Sequence, residues 1–206
     1  MIPLHASPGA REILEKIVIN PALEARWLNT LSLLEYIGAR KIGKTFTKVH
    51  PALEVLEHHA DETRHAYVFK RLSAIVADGK DLGYLCGDEA VTYFQSLDKK
   101  LSDWISKLTG RIDGIQNYLV VTAVIERRAM KIYPYYRKIT RNGFVRDELK
   151  QVIDDESSHR RRIESQCLKI LNPSDVPDFQ ECDAFEEEIY RHFERSIEKE
   201  IMSSLF

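Results

Sequence analysis

Four glutamates and two histidines follow one another in this chain in a repeated order, a lone Glu and then a Glu-x-x-His motif. They are Glu35, Glu62, His65, Glu126, Glu156 and His159. Residues three apart share a helix face, so each motif can offer a carboxylate oxygen and an imidazole nitrogen to the same ion. This order of ligands is the one that holds a pair of iron or manganese ions inside a four-helix bundle.

The glutamates of this set interrupt helix faces that are otherwise apolar. Glu35 shares its face with Leu28 and Ile42, and Glu126 shares its face with Leu119. A buried carboxylate without a partner is costly or takes up a proton, so four of them in one core require cations. Ligation that is rich in oxygen, with one imidazole per ion, favours iron or manganese over zinc or copper(I).

Prolines, glycines and capping residues divide the chain into helices, and strand signals are nearly absent. The predicted helices cover about 7–19, 21–48, 51–77, 88–108, 113–140, 144–171 and 179–203. The connection between the third and fifth is too long for a hairpin turn, and its own helix can cross a bundle. We therefore predict an all-α, ferritin-like four-helix bundle with one long crossover and additional flanking helices.

The same pattern defines the domain organisation that we expect. The chain of 206 residues is predicted to form one domain over 1–206, with the bundle core at about 21–171. The flanking helices are the N-terminal one at 7–19 and the C-terminal one at 179–203. In each predicted hairpin the two glutamates lie almost equally far from the turn. Each hairpin is therefore expected to place its two glutamates at the same height, within about one helical turn.

Composition limits the classes of partner. Charged residues make up 30% of the chain and hydrophobic ones 44%, and the net charge is −2 without basic or acidic blocks. This balance favours a soluble protein and indicates neither a nucleic-acid nor a membrane partner. No apolar run is long enough to span a bilayer, and the first residues lack the features of a signal peptide. Three scattered cysteines without C-x-x-C spacing favour ordinary thiols in a cytoplasmic protein.

Over about 21–171 the sequence resembles the ferritin-like di-iron carboxylate superfamily, which includes bacterioferritins, rubrerythrins, aldehyde-deformylating oxygenases and tRNA hydroxylases. The resemblance rests on the six residues above, and it implies that they bind two Fe ions, or Mn, with Glu62 and Glu156 bridging. Ala129 stands where rubrerythrins carry a further Glu, and no C-x-x-C electron-transfer module is present. The chain therefore departs from the rubrerythrin pattern.

Other residues near the motifs have two interpretations each. Asp61 and Asp155 precede the Glu-x-x-His glutamates, and the resemblance implies that they support the imidazoles, as an acceptor for the second ring N–H would. The alternative is a solvated helix position. His58 is predicted to be a polar residue at the end of the bundle, with a place around the metal ligands or near a substrate as the alternative.

Aromatic and basic residues near the motifs are expected to have structural roles. Four tyrosines are predicted to pack in the core, with a redox relay as the alternative: Tyr36, Tyr67, Tyr118 and Tyr133. The arginines beside the ligand helices are predicted to pair with exposed acids: Arg127, Arg128, Arg160, Arg161 and Arg162.

The function that we expect is that of an oxidase or oxygenase that activates dioxygen or peroxide and oxidises a small organic molecule. It requires an external electron donor, and a homodimer is one assembly that the sequence allows. Small residues beside the ligands, such as Gly38 and Ala129, leave room for a substrate or simply permit close helix packing. The alternatives are a ferroxidase or iron-handling protein, and a metal-stabilised bundle without catalytic activity.

Overall fold

The computed structural model describes residues 6–46, 50–110, 114–170 and 179–204, and all regular secondary structure in these ranges is helical. Its helices are α1 (Pro8–Val18), α2 (Pro21–Thr45), α3 (Leu53–Val76), α4 (Gly87–Thr109), α5 (Gly114–Ile139), α6 (Gly143–Ile170) and α7 (Phe179–Ser203). The all-α prediction is confirmed. The predicted helix ends at 48, 113 and 171 lie outside the described residues.

Local capping chemistry explains where the first helices begin. The Ser7 hydroxyl accepts a hydrogen bond from the backbone N–H of Ala10. The Asn20 side chain accepts from the N–H groups of Ala22 and Leu23. In both cases proline follows the capping residue, and its fixed backbone angle suits the first helical position. The two capping signals in the sequence are therefore sufficient to place these helix starts.

Four helices, α2, α3, α5 and α6, pack around one another as two pairs. α2 packs most extensively against α3, and α5 against α6, while α2 also contacts α5 and α3 contacts α6. α4 connects the two pairs and lies against α2, α5 and α7. α1 and α7 contact each other and cover the outside of α2 and α5. The centre of the molecule is thus enclosed by α2, α3, α5 and α6.

One apolar cluster extends from α1 to α7. Its fully buried members include Ile17, Leu28, Phe69, Leu97, Leu119, Leu149 and Ile197. Each ligand helix contributes the face that the sequence pattern predicted to be apolar. This packing fixes the positions of the polar side chains that interrupt those faces.

Two of the four tyrosine predictions are wrong. Tyr118 and Tyr133 are buried as expected, whereas Tyr36 and Tyr67 are 52% and 66% exposed. Tyr36 directly follows Glu35, and neighbouring residues in a helix are about 100° apart, so its side chain leaves the core face.

The prediction that the arginines pair with exposed acids is confirmed for Arg162, which contacts the exposed Glu57. It needs correction for others, since Arg161 contacts Ser157 and Ser158, and Arg160 is itself buried.

Arg128 is buried and pairs with the equally buried Glu186 of α7, and its Nε is 2.8 Å from Glu186 Oε1. Tyr93 of α4 donates a hydrogen bond to the same carboxylate. The acid that pairs with Arg128 is therefore buried rather than exposed. It comes from α7, so the sequence around Arg128 does not reveal it.

Among the described residues, none of the helices combines the length and the apolar character that crossing a membrane requires. The three cysteines are free thiols, and all three are buried.

Candidate metal centre

All six predicted ligand residues are buried in the middle of the four central helices. α2 supplies Glu35, α3 supplies the first Glu-x-x-His motif, α5 supplies Glu126 and α6 supplies the second motif. None of the six is more than 8% exposed. The structure therefore brings together every residue that the sequence assigned to the site.

Ligand atoms of these six residues and of His58 form two overlapping groups, in each of which the atoms lie within 4.8 Å of one another. The first group is Glu35, Glu62, His65 and Glu156. The second group is His58, Glu62, Glu126 and His159. Glu62 belongs to both groups, which is the placement that a bridging carboxylate requires.

Glu156 also faces both halves of the centre. Its Oε1 lies 2.9 Å from Nδ1 of His65, and its Oε2 lies 3.8 Å from Nδ1 of His159. One oxygen per imidazole is the arrangement expected if each oxygen binds a different ion. The bridging role that the resemblance implies for Glu62 and Glu156 is therefore compatible with the geometry.

The donor set also fits a pair of cations because several of its atoms are otherwise unsatisfied. Nδ1 of His65, Nδ1 of His159, Oε2 of Glu126 and Oε1 of Glu156 are buried and make no hydrogen bond of good geometry, although the first and the last of them lie 2.9 Å apart. Buried polar atoms are nearly always hydrogen-bonded, so four such atoms in one cluster are unusual. Metal ions would satisfy all four, since each atom is a Lewis base.

Protonation in this cluster follows from burial and crowding. Burial, together with the neighbouring carboxylates, raises the pKa of Glu35 and of Glu126 well above 4.5. Burial opposes ionisation of Glu156 as well, but its contacts with Glu126 and the two histidines hold its pKa well below that value. Burial would lower the pKa of His65, yet Glu156, Glu35 and Glu62 raise it to about 10. Protons thus compete with metal ions for these groups.

The predicted supporting aspartates contact the histidines, but they do so across the helix pair. Asp155 of α6 lies 3.1 Å from Nε2 of His65, and Asp61 of α3 lies 3.1 Å from Nε2 of His159. Each contact engages one ring nitrogen and leaves Nδ1 directed at the centre. Arg64 joins the two aspartates, with Nη2 2.6 Å from Asp155 and 3.0 Å from Asp61.

An aromatic hydroxyl lies beside each half of the centre. Tyr133 of α5 donates a hydrogen bond to Glu35. The hydroxyl of Tyr118, also on α5, lies 2.9 Å from Nδ1 of His58. Both tyrosines therefore hold a side chain of the centre in place, which is a more specific role than the core packing that the sequence predicted.

A small residue makes room for the shared carboxylate. A β-carbon on Gly38 would lie 2.8 Å from Oε2 of Glu62, closer than real β-carbons approach other atoms. Gly38 of α2 therefore permits Glu62 to occupy its position in both groups.

A cavity adjoins the carboxylates and is walled mainly by apolar and aromatic side chains. The space between atoms in this cavity is about 830 Å³, a volume that counts the solvent at its opening. Glu35, Glu62, Glu126, Glu156 and His58 form part of its wall. The apolar part of the wall includes Trp27, Leu31, Leu34, Ile42, Phe94, Ile125, Ile132 and Phe193.

The favoured prediction for His58, a polar residue at the end of the bundle, is wrong, and the alternative near the metal ligands agrees with the structure. His58 is 1% exposed and lies within the centre, with Nε2 3.2 Å from both Glu62 Oε1 and Glu126 Oε1. A signal was available, because His58 precedes Glu62 by four residues and therefore shares its helix face. No comparable signal marks Arg64, whose contact with Asp155 depends on how α3 and α6 pack.

No protein-family model matches this chain, and neither the curated proteins nor the solved structures contain a significant match.

Proposed function

We propose that this chain is a di-iron carboxylate oxidoreductase of the ferritin-like type, which uses dioxygen or peroxide to oxidise a small, largely apolar organic molecule. The observation that carries the proposal is the apolar cavity whose wall includes four carboxylates of the candidate metal centre. A site for iron alone has no need of an apolar chamber against its ligands. A purely structural metal site is normally closed by its protein ligands.

The ligand residues would hold the two ions through charge as well as geometry. Four carboxylates balance the charge of two divalent ions, which lowers the desolvation cost of burying the whole centre. When bound, ferrous ions supply electrons for the reduction of dioxygen, and manganese is the alternative metal. Asp61 and Asp155 orient the imidazoles, and Tyr133 holds Glu35. An external donor is needed to restore the reduced state.

The cavity walls would position the organic substrate and exclude water. Side chains such as Leu31, Ile125 and Ile132 offer no hydrogen bonds, so an apolar molecule gains by leaving water. A substrate in this chamber would lie next to the carboxylates of the centre, all four of which form part of its wall. Pockets of this kind, apolar with a few polar groups at one place, are typical of enzymes that act on small molecules.

The first experiment tests the ligand assignment. Metal-free protein is loaded with Fe(II) under anaerobic conditions, desalted and analysed for iron. Wild type is expected to retain two ions per chain and Glu62→Ala fewer, because Glu62 contributes to both groups. Two retained ions in Glu62→Ala would refute the assignment.

The second experiment separates oxidation of an organic substrate from oxidation of iron. Loaded protein is given a large excess of Fe(II) in air, and the oxidation of iron is followed. An oxidase or oxygenase stops once the bound ions have reacted, whereas a ferroxidase continues.

The comparison variant is Ala129→Leu, which adds bulk to the cavity wall. It should retain iron yet lose binding of apolar molecules such as naphthalene, whose fluorescence reports their transfer from water.

A further inference from the structure

We propose that His58 is a seventh metal ligand, which makes the two metal positions chemically unequal. One position would have a single imidazole, that of His65, and the other would have two, those of His58 and His159. This inference rests on the proposed dinuclear centre and adds to the six residues expected from the sequence. It depends on contacts of His58 that the Glu-x-x-His motifs do not specify.

The distances around His58 suit a ligand of the second group. Its Nε2 lies 3.2 Å from Glu62 Oε1 and 3.2 Å from Glu126 Oε1. Two ligand atoms that each bind one ion at about 2.1 Å and at right angles are separated by about 3 Å. Nε2 and the two carboxylate oxygens therefore match the spacing of neighbouring ligands on one ion. The ring of His58 also lies 4.3 Å from that of His159, between centroids.

Tyr118 gives His58 the orientation that a ligand needs. Its hydroxyl is 2.9 Å from Nδ1, and both side chains are only 1% exposed. If Nδ1–H donates to the tyrosine oxygen, the tautomer is fixed and the lone pair of Nε2 faces Glu62 and Glu126. Metal-binding histidines typically use their second nitrogen in this way. Tyr118 thus contacts the second ring nitrogen of His58, as Asp155 does for His65 and Asp61 does for His159.

The nature of the partner also has a consequence for charge. Asp61 and Asp155 are carboxylates, whereas Tyr118 is neutral, and burial raises the pKa of its hydroxyl above the ordinary value. A neutral imidazole with a neutral partner adds a nitrogen donor without adding charge. The balance between four carboxylates and two divalent ions is preserved. The position with two imidazoles is expected to favour later transition metals more strongly than the other one.

The test is a titration of metal-free protein with Co(II), whose visible absorption depends on the number and type of its ligands. Wild type is expected to bind two ions. His58→Ala should bind one ion as wild type does and the other more than about tenfold more weakly, since even loss of a ligand's outer partner costs about 10–100-fold. Its absorption should change, and added imidazole should restore it. Tyr118→Phe should retain both ions with a smaller loss of affinity.

The matched control is His59→Ala, because His59 is the next residue on α3 and belongs to neither ligand group. It should titrate as wild type does. If His58→Ala does not fold, as judged by circular dichroism, His58→Gln replaces it with the same expected loss. Two ions bound with wild-type affinity and absorption in the folded His58 variant would overturn the proposal. A wild type that binds no Co(II) would instead contradict the dinuclear centre itself.

Discussion

His65 on α3 is held by Asp155 on α6, 3.1 Å from its Nε2, while Asp61, the aspartate of its own motif, holds His159. The two Glu-x-x-His motifs are therefore interlocked across the helix pair. Docking of α3 on α6 and orientation of the imidazoles depend on the same contacts. Metal affinity should consequently respond to changes in residues that do not touch the ions.

The first prediction concerns these aspartates. Asp155→Ala should weaken metal binding by about 10–100-fold, because the ring of His65 loses its acceptor. Asp154→Ala is the matched control, since Asp154 is exposed and one position away on the same helix. Competition with a coloured chelator measures both affinities. Equal affinities in the two variants would show that Asp155 does not orient His65.

The second prediction uses two glycines of α2. Gly38→Ala places a β-carbon 2.8 Å from Glu62 Oε2, so this flexible carboxylate has to move. Gly43→Ala places its β-carbon 3.5 Å from His59, an ordinary contact. Both changes favour the helix by up to about 1 kcal/mol, so neither should unfold the protein. Gly38→Ala should bind metal more weakly, and Gly43→Ala should not, in the same chelator assay.

Sequence reasoning succeeded where the signal was local. The caps at Ser7 and Asn20 are read within a few residues, and so is the three-residue spacing of each Glu-x-x-His motif. It failed where tertiary packing decides. The buried partner of Arg128 comes from α7, 58 positions away, and the exchange of aspartates depends on how α3 meets α6. The favoured prediction misplaces His58, although its spacing from Glu62 already puts it on the ligand face.

The third prediction is a dependence of metal binding on pH. The pKa of His65 is raised from 6.5 to about 10. Protonation of this ring therefore stabilises the metal-free fold fully below pH 6.5, and the stabilisation is lost as the pH rises towards 10. Metal ions require the neutral ring. The difference in Tm between metal-loaded and metal-free protein should therefore grow from about pH 6 to about pH 8.5.

Calorimetry provides an independent measure of the same linkage. Metal binding at neutral pH should release protons, from His65 and from Glu35 and Glu126, whose pKa values are also raised. The apparent binding enthalpy should then differ between buffers with different ionisation enthalpies. An enthalpy independent of buffer, with a constant difference in Tm, would contradict the protonation that burial imposes on the centre.

The fourth prediction concerns the ion pair that connects α5 to α7. Arg128 and Glu186 have side chains that are 7% and 1% exposed, so Glu186→Ala leaves a buried cation with reduced compensation. Breaking a buried pair in this way costs about 3–5 kcal/mol, whereas replacing both partners by apolar residues is often neutral. The double variant Arg128→Met, Glu186→Met should recover most of the loss in urea unfolding.

The exposed pair Lys99–Asp103 on α4 is the control, and Asp103→Ala should leave the unfolding midpoint nearly unchanged. If Glu186→Ala behaved like Asp103→Ala, the attachment of α7 would depend on its apolar contacts, such as that of Trp27 with Phe193, rather than on the buried charges.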